Sequence, residues 1–130
     1  MSTNKSFSTE TSERYSRALF EAAKDSNELD KTESDVKKFL VLLNSSYEIA
    51  NFLKDPTQKI NIHNNAINIL AEKLLFSKDF KNFLLLIVEK RRIFFVIKIL
   101  ENFLRLCSKK RGEIKASLIS SKELSKDELD

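Results

Sequence analysis

The sequence predicts an all-α fold, a bundle of six helices that is followed by the start of a second, α+β domain. Three observations support this. The 130 residues include one glycine and one proline, the two residue types that most often interrupt helices. Apolar residues recur at steps of three and four, as on the buried face of an amphipathic helix. After Gly112 the period changes to two, which is typical of a strand.

Composition divides the chain into four parts. Residues 1–10 are rich in serine and threonine and have no apolar stretch, so we expect a disordered tail. Residues 11–108 are predicted to form the six-helix domain. The basic segment 109–112 reads as a linker, and residues 113–130 as a fragment of a C-terminal domain that is truncated here.

The first three helices follow from apolar stripes and end signals. The first is predicted over 11–24 and the second over 29–43. Ser45 and Glu48 have the spacing of a capping box, which predicts the start of a short third helix. Pro56 ends that helix, because the residue before a proline avoids helical angles. The apolar face of the first helix carries Tyr15, Ala18, Leu19 and Ala22.

The remaining three helices have the same period. The fourth is predicted over 57–75 and includes His63 on its apolar stripe. The fifth is predicted over 78–89. The sixth begins after the basic triplet 90–92 and continues to about Cys107. Short loops between amphipathic helices of this length favour a compact bundle.

The last part of the chain is expected to differ from the bundle. Ile114, Ala116 and Leu118 alternate with polar residues, which predicts a short strand. Ser125 and Glu128 repeat the capping-box spacing, which predicts the first turn of another helix.

The composition excludes several kinds of chemistry. A phosphate-binding loop of the Walker or dinucleotide type needs two or three glycines at fixed spacing. One cysteine, Cys107, and one histidine, His63, cannot form an intrachain disulfide or a zinc site. Carboxylates such as Asp30 and Glu33 lie in polar segments, so we expect them on solvated faces. No catalytic residue, cofactor or metal site is therefore predicted.

Four segments together resemble one protein family. Residues 14–23 read RYSRALFEAA, similar to its R-Y-A-x-A-L-F-x-x-A opening, and residues 52–56 read FLKDP, similar to its F-L-x-x-P break. Residues 85–93, LLIVEKRRI, resemble L-L-x-x-x-N-x-R-L. Residues 112–121, GEIKASLISS, with Leu124 and Ser125, resemble G-x-V-x-A-x-V-x-S-A … L-S. In this order and spacing they resemble the delta subunit family of the F-type ATP synthase, called OSCP in mitochondria.

The resemblance implies a stator subunit without catalytic residues. Such a subunit tethers the α/β catalytic head to the b-subunit stalk, so that rotor torque drives proton-coupled ATP synthesis. The resemblance also implies that the b subunit binds the C-terminal domain, most of which is missing here. It implies a peripheral location on the cytoplasmic face of a bacterial inner membrane, or on the matrix side in mitochondria. The longest apolar run, residues 83–88, is too short for a membrane span.

The resemblance further implies a groove between the first and fifth helices that receives the N-terminal helix of an α subunit. The alternative is that these apolar positions are core contacts between the two helices. Family signature positions with an expected structural role are Arg14, Pro56, Arg92 and Gly112. Positions matching the groove are Tyr15, Ala18, Leu19, Ala22, Phe83, Leu86 and Ile87.

A second function remains open at this point. The net charge is +4, and basic triplets lie at 90–92 and 109–111, the first of them beside Phe94 and Phe95. Basic side chains next to aromatic ones are typical of RNA-binding surfaces. The alternative prediction is therefore an all-helical RNA-binding regulatory module.

Overall fold

The computed structural model describes the backbone of residues 2–129 and the side chains of residues 8–120. Within this part the chain forms six α-helices and no strand, which confirms the predicted all-α bundle. A 3₁₀ turn, Ile93–Phe95, precedes the last helix. The helices are α1 (Ser2–Asp25), α2 (Leu29–Ser45), α3 (Tyr47–Lys54), α4 (Ile60–Leu74), α5 (Lys78–Glu89) and α6 (Val96–Leu129).

One apolar core joins the helices. Helix α1 packs chiefly against α6, and α4 chiefly against α5, while α2 contacts α1, α3, α5 and α6. Three phenylalanines, Phe39, Phe80 and Phe103, are fully buried. The rings of Phe39 and Phe80 meet edge to face with centroids 6.0 Å apart, and Phe20 meets Phe103 in the same way at 6.3 Å. Edge-to-face pairs are a favoured aromatic geometry, so the core has defined ring contacts.

Three helices end on a residue with left-handed backbone angles, and none of these residues is glycine. They are Asn27, Leu75 and Arg91, with φ of 58°, 56° and 57°. After each, the next amide donates to a carbonyl five residues back, as Phe76 does to Ala71 at 3.0 Å and Arg92 to Ile87 at 2.7 Å. This is the Schellman motif, in which glycine is preferred. The lone glycine, Gly112, lies instead inside α6.

The predicted strand at Ile114–Leu118 is wrong in this structure, because α6 continues without a break to Leu129. The predicted linker at 109–112 is likewise part of the helix. A single strand would leave its backbone amides and carbonyls without partners, whereas a helix pairs them internally. The capping box predicted at Ser125 and Glu128 rests on side chains outside the described residues.

The N-terminal end also differs from the prediction, because α1 begins at Ser2 rather than near Thr11. Adding residues to an existing helix costs little compared with starting a new one. Thr11 and Ser12 are buried, and Lys98 on α6 donates to the Ser8 hydroxyl at 3.3 Å. The bond between Lys98 and Ser8 extends the α1–α6 interface into residues 1–10, the predicted disordered tail.

Two helix starts are shifted relative to the sequence prediction. Ser46, not Ser45, caps α3, because its hydroxyl accepts from the Ile49 amide. Helix α4 starts at Ile60 rather than at 57, because Asp55 holds Thr57 in a turn. The Asp55 carboxylate accepts from the Thr57 hydroxyl at 2.6 Å and the Thr57 amide at 2.9 Å. These bonds lower the pKa of Asp55.

Replacing Leu75 by glycine is expected to stabilise the protein. The side chain is 74% exposed, so little packing is lost. Left-handed angles cost a residue with a side chain about 1 kcal/mol relative to glycine. We expect Leu75→Gly to raise the free energy of unfolding in urea by about this amount. Glu72→Gly, inside α4, should lower it by about 0.5–1 kcal/mol. Equal losses in both variants would show that the Leu75 backbone is not strained.

Candidate functional site

Helix α1 has one face in the core and another in solvent. Leu19, Phe20 and Ala23 are buried, with Leu19 only 1% exposed. Ala18 and Ala22, four residues apart on the opposite side, are exposed. Because an alanine side chain ends at its methyl group, another helix can approach the α1 backbone closely at these two positions.

Helix α5 borders α1 and is mostly buried. Phe83 and Ile87 belong to the core, whereas Leu86 is 41% exposed. The end of α1 is joined to the start of α5 by a hydrogen bond from the Ser26 hydroxyl to the Asp79 carboxylate, at 2.7 Å. This bond fixes the two helices as neighbours at one end of the candidate surface.

The structure therefore divides the seven predicted groove residues into two groups. Leu19, Phe83 and Ile87 lie in the core, where they position the two helices. The other four reach the surface, with Tyr15 half-buried and Leu86 as the apolar side chain of α5. We call these four, Tyr15, Ala18, Ala22 and Leu86, the α1/α5 surface. Their part in binding a partner stays a prediction.

The four signature residues lie apart from one another. Arg14 is exposed on α1, and Pro56 is exposed in the turn between α3 and α4. Arg92 is half-buried, and its amide closes the end of α5. Gly112 has negative φ, and a β-carbon placed on it would meet nothing within 4 Å. The helical conformation therefore does not require glycine at this position.

Sequence reasoning missed an ion pair between α2 and α6. Glu33, expected on a solvated face, is only 7% exposed. One guanidinium nitrogen of Arg111 donates to both of its carboxylate oxygens, at 2.6 and 2.7 Å. This contact raises the pKa of Arg111. The carboxylate of Asp35 is also buried and accepts from the Ser77 amide at 2.7 Å.

The only histidine and the only cysteine are both buried. The Nε2 atom of His63 lies 2.8 Å from the Phe52 carbonyl oxygen, so it donates a hydrogen bond there. Cys107 is 2% exposed, and burial, followed by the nearby Glu33 carboxylate, raises its pKa to about 11. Both side chains serve the packing of the bundle.

The described residues show no group of three histidine, cysteine or acidic side chains that could hold a metal ion. None of their helices is long and apolar enough to cross a membrane.

Comparison with known proteins identifies the family of this chain. The family described as ATP synthase delta (OSCP) subunit matches residues 11–130. The chain belongs to this family. It is 39% identical over 129 residues to the ATP synthase subunit delta of Pelagibacter ubique, covering 99% of this chain and 70% of that protein. The subunit delta of Rhodospirillum rubrum is 32% identical over 95% of this chain and 67% of its own length. That of Dinoroseobacter shibae is 31% identical over 100% and 70%.

All of the candidate residues lie within the part of the chain that matches the delta (OSCP) family, residues 11–130. The resemblance seen in the sequence is thereby confirmed at the level of the family. The binding roles of individual residues depend on the experiments below.

Stability should fall in alkali because of Cys107. Burial raises the pKa of its thiol to about 11 from the usual 9.0, so the folded state holds this proton more tightly than the unfolded state. This contribution to stability is complete below pH 9 and is lost as the pH rises towards 11. In urea titrations, the free energy of unfolding should fall more between about pH 8 and about pH 10.5 in the natural chain than in Cys107→Ala. Equal losses would contradict the assignment to Cys107.

Proposed function

We propose that this protein is a non-catalytic stator subunit of the F-type ATP synthase. It tethers the α/β catalytic head to the b-subunit stalk, which resists rotor torque while proton flow drives ATP synthesis. The proposal rests on family membership together with a bundle that presents an apolar surface on α1 and α5. Its place would be peripheral, on the cytoplasmic face of a bacterial inner membrane.

The α1/α5 surface is the proposed contact to the N-terminal helix of an α subunit. A helix is held on such a surface by apolar anchors at three- and four-residue steps. Ala18 and Ala22 allow its close approach, and Tyr15 and Leu86 stand at the flanks. The exposure of these two alanines, on a helix whose other face is buried, is the single observation that carries the assignment.

The second proposed contact joins the C-terminal region to the b subunit. A tether carries load only when it is held at both ends, so two contacts in series are required. Helix α6 is the element that leads from the bundle core towards that region.

The test is a calorimetric titration of this chain with a peptide copying the N-terminal helix of its own α subunit, at low and high salt. We expect one-to-one binding that persists at high salt, because apolar contacts are screened little. Ala18→Glu should weaken binding about tenfold or more, since the carboxylate loses water on contact. Both alanine sites are exposed, so Ala116→Glu on α6 is the matched control and should bind as the natural chain does.

Two outcomes would count against the tether. One is the absence of peptide binding, and the other is an equal loss of affinity in Ala18→Glu and Ala116→Glu. The RNA-binding alternative stays a prediction that the same titration tests with single-stranded RNA. Binding that is strong at low salt and disappears at high salt would favour it.

A further inference from the structure

A second surface lies between α1 and α6, separate from the α1/α5 surface. It is a groove of about 570 Å³, lined by basic side chains from both helices. We propose that this basic groove binds an acidic amphipathic helix of a partner protein. Its cations are Arg17 on α1 and Lys98, Arg105 and Lys109 on α6, and its one carboxylate is that of Glu13.

The cations of the basic groove have few partners within the described residues. Arg17, Arg105 and Lys109 form no salt bridge there, since the described salt bridges all involve Glu33 or Asp35 on α2. Lys98 is bound only to the Ser8 hydroxyl, at 3.3 Å. Four positive charges against one negative charge leave a concave surface that attracts a partner of opposite sign.

The spacing of the cations suits a helical partner. Lys98, Arg105 and Lys109 follow one another at steps of seven and four, which places them on one face of α6. The face spans about 17 Å at the rise of an α-helix, about three turns. Carboxylates at similar steps on a partner helix would lie opposite these side chains. Hydrogen bonds between guanidinium and carboxylate groups are among the stronger ones in proteins.

The lining of the basic groove favours a protein partner over nucleic acid or lipid. It contains no aromatic side chain on which a base could stack. It also offers no exposed large apolar side chain to enter a bilayer, because its one such residue, Leu106, is half-buried. Leu106 instead provides an apolar floor for the uncharged side of a helix.

The experiment is a fluorescence anisotropy titration of the full chain with a labelled peptide of about 15 residues, three to four helical turns. The peptide carries glutamates at three- and four-residue steps on one face and leucines beside them. A second peptide has glutamine at each glutamate. Single-stranded RNA and phosphatidylglycerol vesicles are titrated in parallel.

We expect the glutamate peptide to bind, and the double variant Arg105→Glu/Lys109→Glu to weaken it by about tenfold or more. The control variant Lys59→Glu/Lys73→Glu changes the net charge by the same amount at two exposed sites at the ends of α4, which does not line the basic groove. It should bind the peptide within about twofold of the natural chain. The tether titration depends on Ala18 of α1 and this one on Arg105 and Lys109 of α6, so the two proposals can fail independently.

Several results would overturn the proposal. The first is that the glutamate peptide does not bind at about 1 mM, and the second is that the glutamine peptide binds equally well. The third is that the two double variants lose the same amount of affinity for the glutamate peptide. Binding of RNA or vesicles that depends on Arg105 and Lys109, without binding of the peptide, would assign the groove to that other class of partner.

Discussion

The packing of α1 against α6 is the contact on which the proposed surfaces depend. Leu19 and Ala23 are buried, and Phe20 meets Phe103 of α6 edge to face. Because a helix buries only a stripe of its surface, fixing this stripe also fixes what remains outside. Ala18 and Ala22 are thereby presented on one side of α1. The basic groove follows from the same contact, since α6 forms its other wall.

Most of the bundle could be predicted because its signals are local. The spacing of apolar residues, the polar breaks between them and the end of the third helix at Pro56 predict the number of helices. Helix α5 has the predicted bounds, Lys78–Glu89. The alternation at Ile114, Ala116 and Leu118 misled because it is short. A strand needs a neighbouring strand, and period alone does not show whether one is present. In the structure all three residues lie exposed on α6.

The surface was harder to predict than the fold, because neighbouring residues on one helix face can have opposite environments. Ala18 and Leu19 are adjacent in sequence, and both lie on the predicted apolar face of α1. Only Leu19 enters the core. The period gives the direction of a face but not where the next helix covers it. The pairing of Glu33 with Arg111 joins residues 78 positions apart, and no local pattern indicates such a contact.

The ion pair also bears on how the proposed tether would carry load. In the proposed tether, force entering at the α1/α5 surface would pass through the α1–α6 contact into α6, which is anchored in the core as far as Cys107. Beyond that residue the described side chains of α6 are exposed except for the half-buried Lys110, and exposed Arg111 is bound to Glu33. This pair fixes one further turn of α6 to α2. Residues after Gly112 have no such contact among the described side chains, so bending under load would begin there rather than inside the bundle.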